Sequence, residues 1–356
     1  MKYFVHVVGS MAPGGIENFI MNIYRNIDRE KIQFHFILNM KKEVSYDEEI
    51  ERMGGKIYYV TRKAENPIKN FLEVRKIIKE QKYDTVCRHS DNAFTVVDLL
   101  AAKMAGAKRI IMHSHSTQTK NSGLHKFFRL WFPYVTTHRF ACSKTAGKWM
   151  YGSKDFQVVP NAIDTEKFLY SEDTRMKMRK EWQVEDAHVY GHVGSFVYAK
   201  NHPFLLDVFC EISKKDEKAV LFLVGDGDLR KDAEEKVKEY GLEEKVIFTG
   251  RRMNVPDFLQ MFDVLLFPSV YEGLPVSLVE AQTSGLQCLI SERITDEVIL
   301  TDCARSYSID LGVESWAQKA MEVMELAQNT MRRSKQKEIK EEGYDIHSLT
   351  KFYENF

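Results

Sequence analysis

Cysteine is sparse in this 356-residue chain: Cys87, Cys142, Cys210, Cys288 and Cys303 are scattered, odd in number, and form no Cys-x-x-Cys pair. That argues against a disulfide framework and a cysteine zinc site, and for a reducing cytosol. No apolar stretch approaches the ~20 residues a membrane helix needs, and no small-residue cleavage site follows Met1 to Gly9, so a soluble or peripheral protein is expected, cytoplasmic by its cysteines. The loop after the first strand-like run, Gly9-Ser10-Met11-Ala12-Pro13-Gly14-Gly15, is not Gly-x-Gly-x-x-Gly, which counts against a dinucleotide-cofactor enzyme. There is no low-complexity segment and no short repeat. Net charge is also missing, at +0.

That zero hides an asymmetry. Residues 1–165 hold 26 Lys and Arg against 16 Asp and Glu, an excess of ten positive charges; the remainder holds 25 against 35. Opposite halves imply different partners, and an anionic surface is the candidate for the first.

The length suits two domains. Apolar, β-branched runs alternate with helix-period segments throughout. Strands are expected at Tyr3–Val8, Gln33–Leu38, Lys56–Val60, Thr85–Arg88, Arg109–His113 and Arg139–Cys142, then at Val189–Gly194, Val220–Val224, Val246–Thr249, Asp263–Phe267 and Gln287–Ile290. Such alternation means parallel sheets covered on both faces, hence two Rossmann-like α/β domains. The join is expected near Pro160–Asp164, giving domains 1–165 and 166–340.

Ligands of these sheets bind beyond the strand carboxyl ends, where the chemistry-bearing residues fall. In Ser269-Val270-Tyr271-Glu272-Gly273-Leu274-Pro275-Val276-Ser277-Leu278-Val279-Glu280, Pro275 is expected in a helix's first turn, where free amides bind anions. Glu272 precedes that helix and Glu280 lies one turn inside, so two carboxylates flank a phosphate-sized site. Gly285 is expected to close the helix. After another strand, Gly194-Ser195 leads to Lys200 at an expected helix start, where its ammonium suits a diphosphate. Gly225-Asp226-Gly227-Asp228 permits close backbone approach; a metal reading of its Asp-x-Asp is rejected for want of further ligands. Gly250-Arg251 closes the next strand, with Arg251 equally readable as a surface charge. In the first half, His113 and His115 sit two apart at a strand end, with no third ligand in sight, a poor zinc site. The basic-aromatic run Lys126–Pro133 reads as a half-buried helix, or as a contact for lipid headgroups or acceptor.

The Glu272–Glu280 block closely resembles the Glu-x7-Glu signature of family-4 glycosyltransferases, retaining enzymes of the GT-B fold. The resemblance spans nearly the whole chain. It implies two Rossmann-like domains facing a central cleft, a last segment (341–356) crossing back to the first domain, and no metal or other cofactor. The implied reaction moves a sugar from a UDP-sugar substrate to a glycan or lipid-linked saccharide hydroxyl, in cell-surface polysaccharide synthesis. The partners implied are that donor, that acceptor and an anionic membrane surface at the inner face of the cell membrane, not nucleic acid. By the same resemblance Glu272 holds donor-sugar hydroxyls, Glu280 holds ribose, and Lys200 with the amides around Gly273, Leu274 and Val276 faces the phosphates. Gly14 and Gly15 form a loop over donor sugar and phosphate, Gly225, Gly250 and Arg251 lie near the nucleotide, and His115, with His113 as runner-up, touches the sugar. Family members carry arginine where this chain has Ser195, leaving Lys200 the lone matching cation. A UDP-sugar 2-epimerase and a non-catalytic sugar-nucleotide-binding scaffold are the alternatives.

Overall fold

The computed structural model describes residues 1–90, 92–116 and 122–356. The chain divides into two compact units, 1–162 joined by 346–356, and 163–345. The boundaries therefore fall after Ala162 rather than 165, and the returning segment begins at Ile346 rather than 341.

The first unit holds a seven-stranded parallel sheet: β1 (Lys2–Val8), β2 (Ile32–Leu38), β3 (Ile57–Tyr59), β4 (Thr85–Ser90), β5 (Arg109–Ser114), β6 (His138–Ala141) and β7 (Gln157–Val158), in the order β3-β2-β1-β4-β5-β6-β7. Every residue of β2 is buried, as helices on both faces require. The helix Gly15–Asn26 and the terminal helix Ile346–Asn355 share one core. Ile346, Leu349 and Tyr353 join Phe4, Phe34 and Ile23 there. The second unit holds six parallel strands: β8 (His188–Val193), β9 (Ala219–Val224), β10 (Val246–Gly250), β11 (Val264–Phe267), β12 (Gln287–Ser291) and β13 (Ala304–Tyr307), in the order β10-β9-β8-β11-β12-β13. The charged segment after 313 divides: helix Val313–Asn329 buries Trp316 in the second unit's core, while Ile346–Asn355 belongs to the first.

Both sheets reverse direction beside their first strand, between β1 and β4 and between β8 and β11. Such a switch point opens a crevice at the strand carboxyl ends, the ligand position of doubly wound folds. Among the described residues no helix is long and apolar enough to cross a membrane.

Candidate functional site

At the switch point of the second unit, the segments leaving β8 and β11 bring the expected residues together. Lys200 Nζ lies 2.8 Å from Glu272 Oε1, both side chains mostly shielded. The ammonium also stands 4.4 Å over the Phe267 ring, a cation–π contact that fixes its direction. Lys200 does not open an α-helix as expected. It ends a short 3₁₀ turn, Tyr198–Lys200, and Asn201 at φ +55 reverses the chain into the helix His202–Lys215. Asn201 Nδ2 donates to the Pro268 carbonyl and Val270 N–H to that of Ala199, tying the lysine loop to the glutamate loop.

Pro275 is the residue before the helix Val276–Thr283, not part of its first turn, and no side chain caps that helix. Gly285 at φ +71 closes it as expected, pressed against the backbone of Arg333. Glu280 is half-buried and no hydrogen bond or ion pair holds its carboxylate among the described residues; desolvation pushes it up to about 7. Such a carboxylate is ready to gain hydrogen-bond donors from a ligand.

The β9 loop packs tightly beneath. Gly225 has φ +149, and a Cβ there would lie 2.0 Å from the Gly194 carbonyl oxygen, so only glycine fits. Gly225 N–H donates to Gly250, and Phe196 N–H to Asp226. Asp226 accepts from the Gly227 amide, and no metal-type cluster joins it to Asp228 among the described residues. Ser195 and Arg251 are exposed. Arg230, which no sequence motif marks, has its guanidinium 3.5 Å from a Cβ built on Gly250 and pairs with Glu234 at 2.7 Å. His192 and His202, likewise unmarked by any motif, are buried next to Lys200.

In the first unit, Gly14 precedes the helix Gly15–Asn26 in extended backbone, and a Cβ on Gly15 would meet nothing. Neither glycine is required by conformation; a Cβ on Gly14 would lie 2.6 Å from the Glu17 carboxylate, and only Gly15 leaves open space. His113 and His115 are not a pair without a third group. Register sets His6 opposite Cys87 and His89 opposite His113, so three adjacent strands gather imidazoles on one face. His6, Cys87 and His89, and again His89, His113 and His115, bring ligand-type atoms within 4.8 Å of one another. Either trio has ligand types that suit a borderline transition-metal ion such as zinc. Burial keeps the rings neutral, lowering His6 and His115 to about 3 and His89 and His113 well below the usual range.

The basic-aromatic run is less buried than a half-buried helix. Across Ser122–Phe128, Arg129–Trp131 and Phe132–Val135, Phe127, Leu130, Trp131 and Tyr134 are 51–69% exposed, while Phe132 and Val135 are buried.

Two doubly wound units with glycine-lined, charged strand ends are the architecture of GT-B glycosyltransferases. Anabaena HepE solved with UDP-glucose superposes with a TM-score of 0.82, at 18% identity and over 99% of this chain and 98% of that one. WaaG, a glycosyltransferase involved in lipopolysaccharide biosynthesis, superposes at 0.72, with 15% identity over 99% and 98%. A model described as Glycosyltransferase Family 4 matches residues 13–167, and one described as Glycosyl transferases group 1 matches residues 174–344. The chain is 34% identical to glycosyltransferase EpsF of Bacillus subtilis over 90% of its own length and 88% of the relative's. It is 26% identical to the capsular polysaccharide biosynthesis glycosyltransferase CapH of Staphylococcus aureus, over 88% of each. An Escherichia coli relative named UDP-Gal:alpha-D-GlcNAc-diphosphoundecaprenol alpha-1,3-galactosyltransferase is 27% identical over 63% of this chain and 62% of its own. The chain belongs to the family-4 glycosyltransferases.

Proposed function

We propose that this glycosyltransferase moves a sugar, with retention of anomeric configuration, from a UDP-sugar to a hydroxyl of a glycan or lipid-linked saccharide in cell-surface polysaccharide assembly. The observation that carries this reading is the Lys200–Glu272 contact at 2.8 Å beside an uncapped helix start, with Glu280 four residues inside it. Lys200 and the first helix amides would meet the charge that develops on the departing diphosphate, the main electrostatic task of such a transfer. Glu280 would accept from the ribose hydroxyls and Glu272 from those of the sugar. The departing phosphate itself would take the acceptor proton, since no side chain is assigned as a nucleophile. Gly225 and Gly250 would let backbone approach the nucleotide, and the family resemblance gives His115 a sugar contact. The UDP-glucose complex of HepE and the undecaprenol-linked acceptor in the E. coli relative's name support this choice of donor and acceptor.

With a cation and helix amides facing the diphosphate, the transfer would need no divalent metal. Turnover should survive EDTA; loss in chelator with rescue by Mg²⁺ or Mn²⁺ would reinstate the metal reading of Asp226 and Asp228. The exposed Phe127, Leu130, Trp131 and Tyr134 among Lys126 and Arg129 suit reversible docking on an anionic bilayer, each cation near the surface adding about 1 kcal/mol at low salt. Flotation with anionic liposomes at low salt, and release at high salt, is the expected result. Failure to float with anionic liposomes at low salt removes the membrane.

A further inference from the structure

Strand register gathers three imidazoles around one point of the first unit. His89 and His113 are paired across β4 and β5, and the His115 N–H donates to the Ser90 carbonyl at 3.2 Å, continuing that ladder past the end of β5. Residues two apart on an extended segment share a face, so His113 and His115 both stand beside His89. Ring centroids are 5.4 Å apart for His89 and His113, 5.2 Å for His89 and His115, and 4.1 Å for His113 and His115. His89 Nδ1 lies 3.0 Å from His115 Nε2, and a ring nitrogen of His113 completes a trio whose atoms are all within 4.8 Å of one another. In a tetrahedral zinc site each nitrogen is ~2.0–2.1 Å from the ion, which sets neighbouring nitrogens ~3.4 Å apart. The first pair is close to that spacing already, and the His113 ring has only to turn inward.

The polar balance points the same way. His113 is fully buried, and neither of its ring nitrogens has a hydrogen-bond partner. A buried polar atom left unmatched is costly, and coordination would use one of these two. Burial also keeps the three rings neutral, the form that binds metal, so an ion entering here need displace no proton. The neighbouring trio is a poorer seat. His6, Cys87 and His89 are all shut off from solvent, and burial pushes the Cys87 thiol up, so a thiolate ligand there is expensive to make. His115 is half-buried and gives the outer trio an approach. His6 Nδ1, 3.0 Å from His89 Nε2, then serves to hold the His89 ring in place, as groups behind metal-binding histidines do.

We infer that His89, His113 and His115 form a site for one divalent ion of the zinc class, and that the ion inhibits transfer rather than taking part in it. Three imidazoles supply three ligands, and water fills the fourth position. An ion so held takes the His115 Nε2 lone pair and ties that ring to His89 and His113. The inhibition rests on the proposal that His115 contacts the donor sugar; the ion site does not.

The test titrates the zinc-free full chain with Zn²⁺ against a chromophoric chelator, and with Co²⁺ as a spectroscopic probe of the ligands. The expected result is one equivalent bound, with a four-coordinate cobalt spectrum that lacks a thiolate charge-transfer band and is unchanged in Cys87→Ser. His115→Asn, at the half-buried position, and His113→Gln should each weaken binding at least ~10-fold while cooperative unfolding is retained. Absent binding, binding that survives both substitutions, or a thiolate band overturns the site. Kinetics separate the site from its effect. One equivalent of zinc should raise KM for the UDP-sugar roughly two- to tenfold, the worth of one hydrogen bond, with UDP affinity unchanged and the effect reversed by chelator. Stoichiometric zinc with an unchanged KM would refute the sugar contact of His115, and the inhibition with it, and leave the ion site standing.

Discussion

Lys200 and Glu272 hold each other at 2.8 Å; in the proposed reaction an incoming diphosphate would have to share or break that contact. Lys200→Ala should therefore lower kcat more than it lowers donor affinity, because the charge it meets grows in the transition state. Adding Arg at the exposed Ser195 should recover part of the loss; full activity in Lys200→Ala would mean the phosphates are held elsewhere. Glu272→Ala, which frees the ammonium, should leave UDP affinity undiminished while turnover drops. Glu280 behaves differently. Its folded value, about 7, stands above the ordinary 4.5, so the folded state prefers the protonated form. Its burden on stability is absent below pH 4.5, grows as pH rises toward 7, and is full above that. Glu280→Gln should raise Tm at pH 8 and leave it nearly unchanged at pH 4.5, the gain being about 1–3 kcal/mol. If the carboxylate accepts from ribose, UDP affinity should also fall as pH drops below 7 in wild type and lose that dependence in Glu280→Gln. A flat affinity profile in wild type would remove the ribose assignment.

The strand ends are held by glycine where backbones meet. Gly225→Ala adds a Cβ that would sit 2.0 Å from the Gly194 carbonyl, at a φ of +149. It should cost more than ~2 kcal/mol in urea unfolding and weaken UDP binding with it. Acid should loosen the first unit for a separate reason. The values of His6, His89, His113 and His115 are all lowered by burial. The stability they contribute is present above the unfolded value of 6.5 and lost as pH falls toward 3, each group steepening the slope by up to ~1.4 kcal/mol per pH unit. Tm should fall through that window, and unchanged Tm between pH 6.5 and 4 would contradict the burial of these rings. The same elements mark the reach of the sequence. The central strands were legible because both their faces are buried and their apolar runs unbroken. Gln157–Val158 is two exposed residues, and Ala304-Arg305-Ser306-Tyr307 is an edge strand with no apolar run, so both were missed. The carboxylate–lysine site was legible from a dense local motif. The histidine chain was not, since only the register of three strands brings His6, His89 and His115 together.

At the scale of the whole chain, the first unit is completed by its last eleven residues. Tyr353 and Ile346 are fully buried and Leu349 nearly so, against Phe4 and Phe34. Deleting 346–356 exposes that face at ~1.5–3 kcal/mol for each of the three side chains, a large share of the 5–15 kcal/mol a domain holds in reserve. The truncated protein should show early loss of the first unit in limited proteolysis, and wild-type resistance would mean the helix is dispensable. The central claim, UDP-sugar transfer with retention, is tested most directly by one assay. Purified protein is given UDP-Glc, UDP-Gal, UDP-GlcNAc or UDP-GalNAc with a lipid-linked saccharide acceptor, while released UDP and the product anomer are followed together. The expected result is acceptor-dependent UDP release from one of these donors, with a product of the donor's own anomeric configuration. An inverted product, or consumption of UDP-GlcNAc to an epimer with no acceptor present, would contradict it.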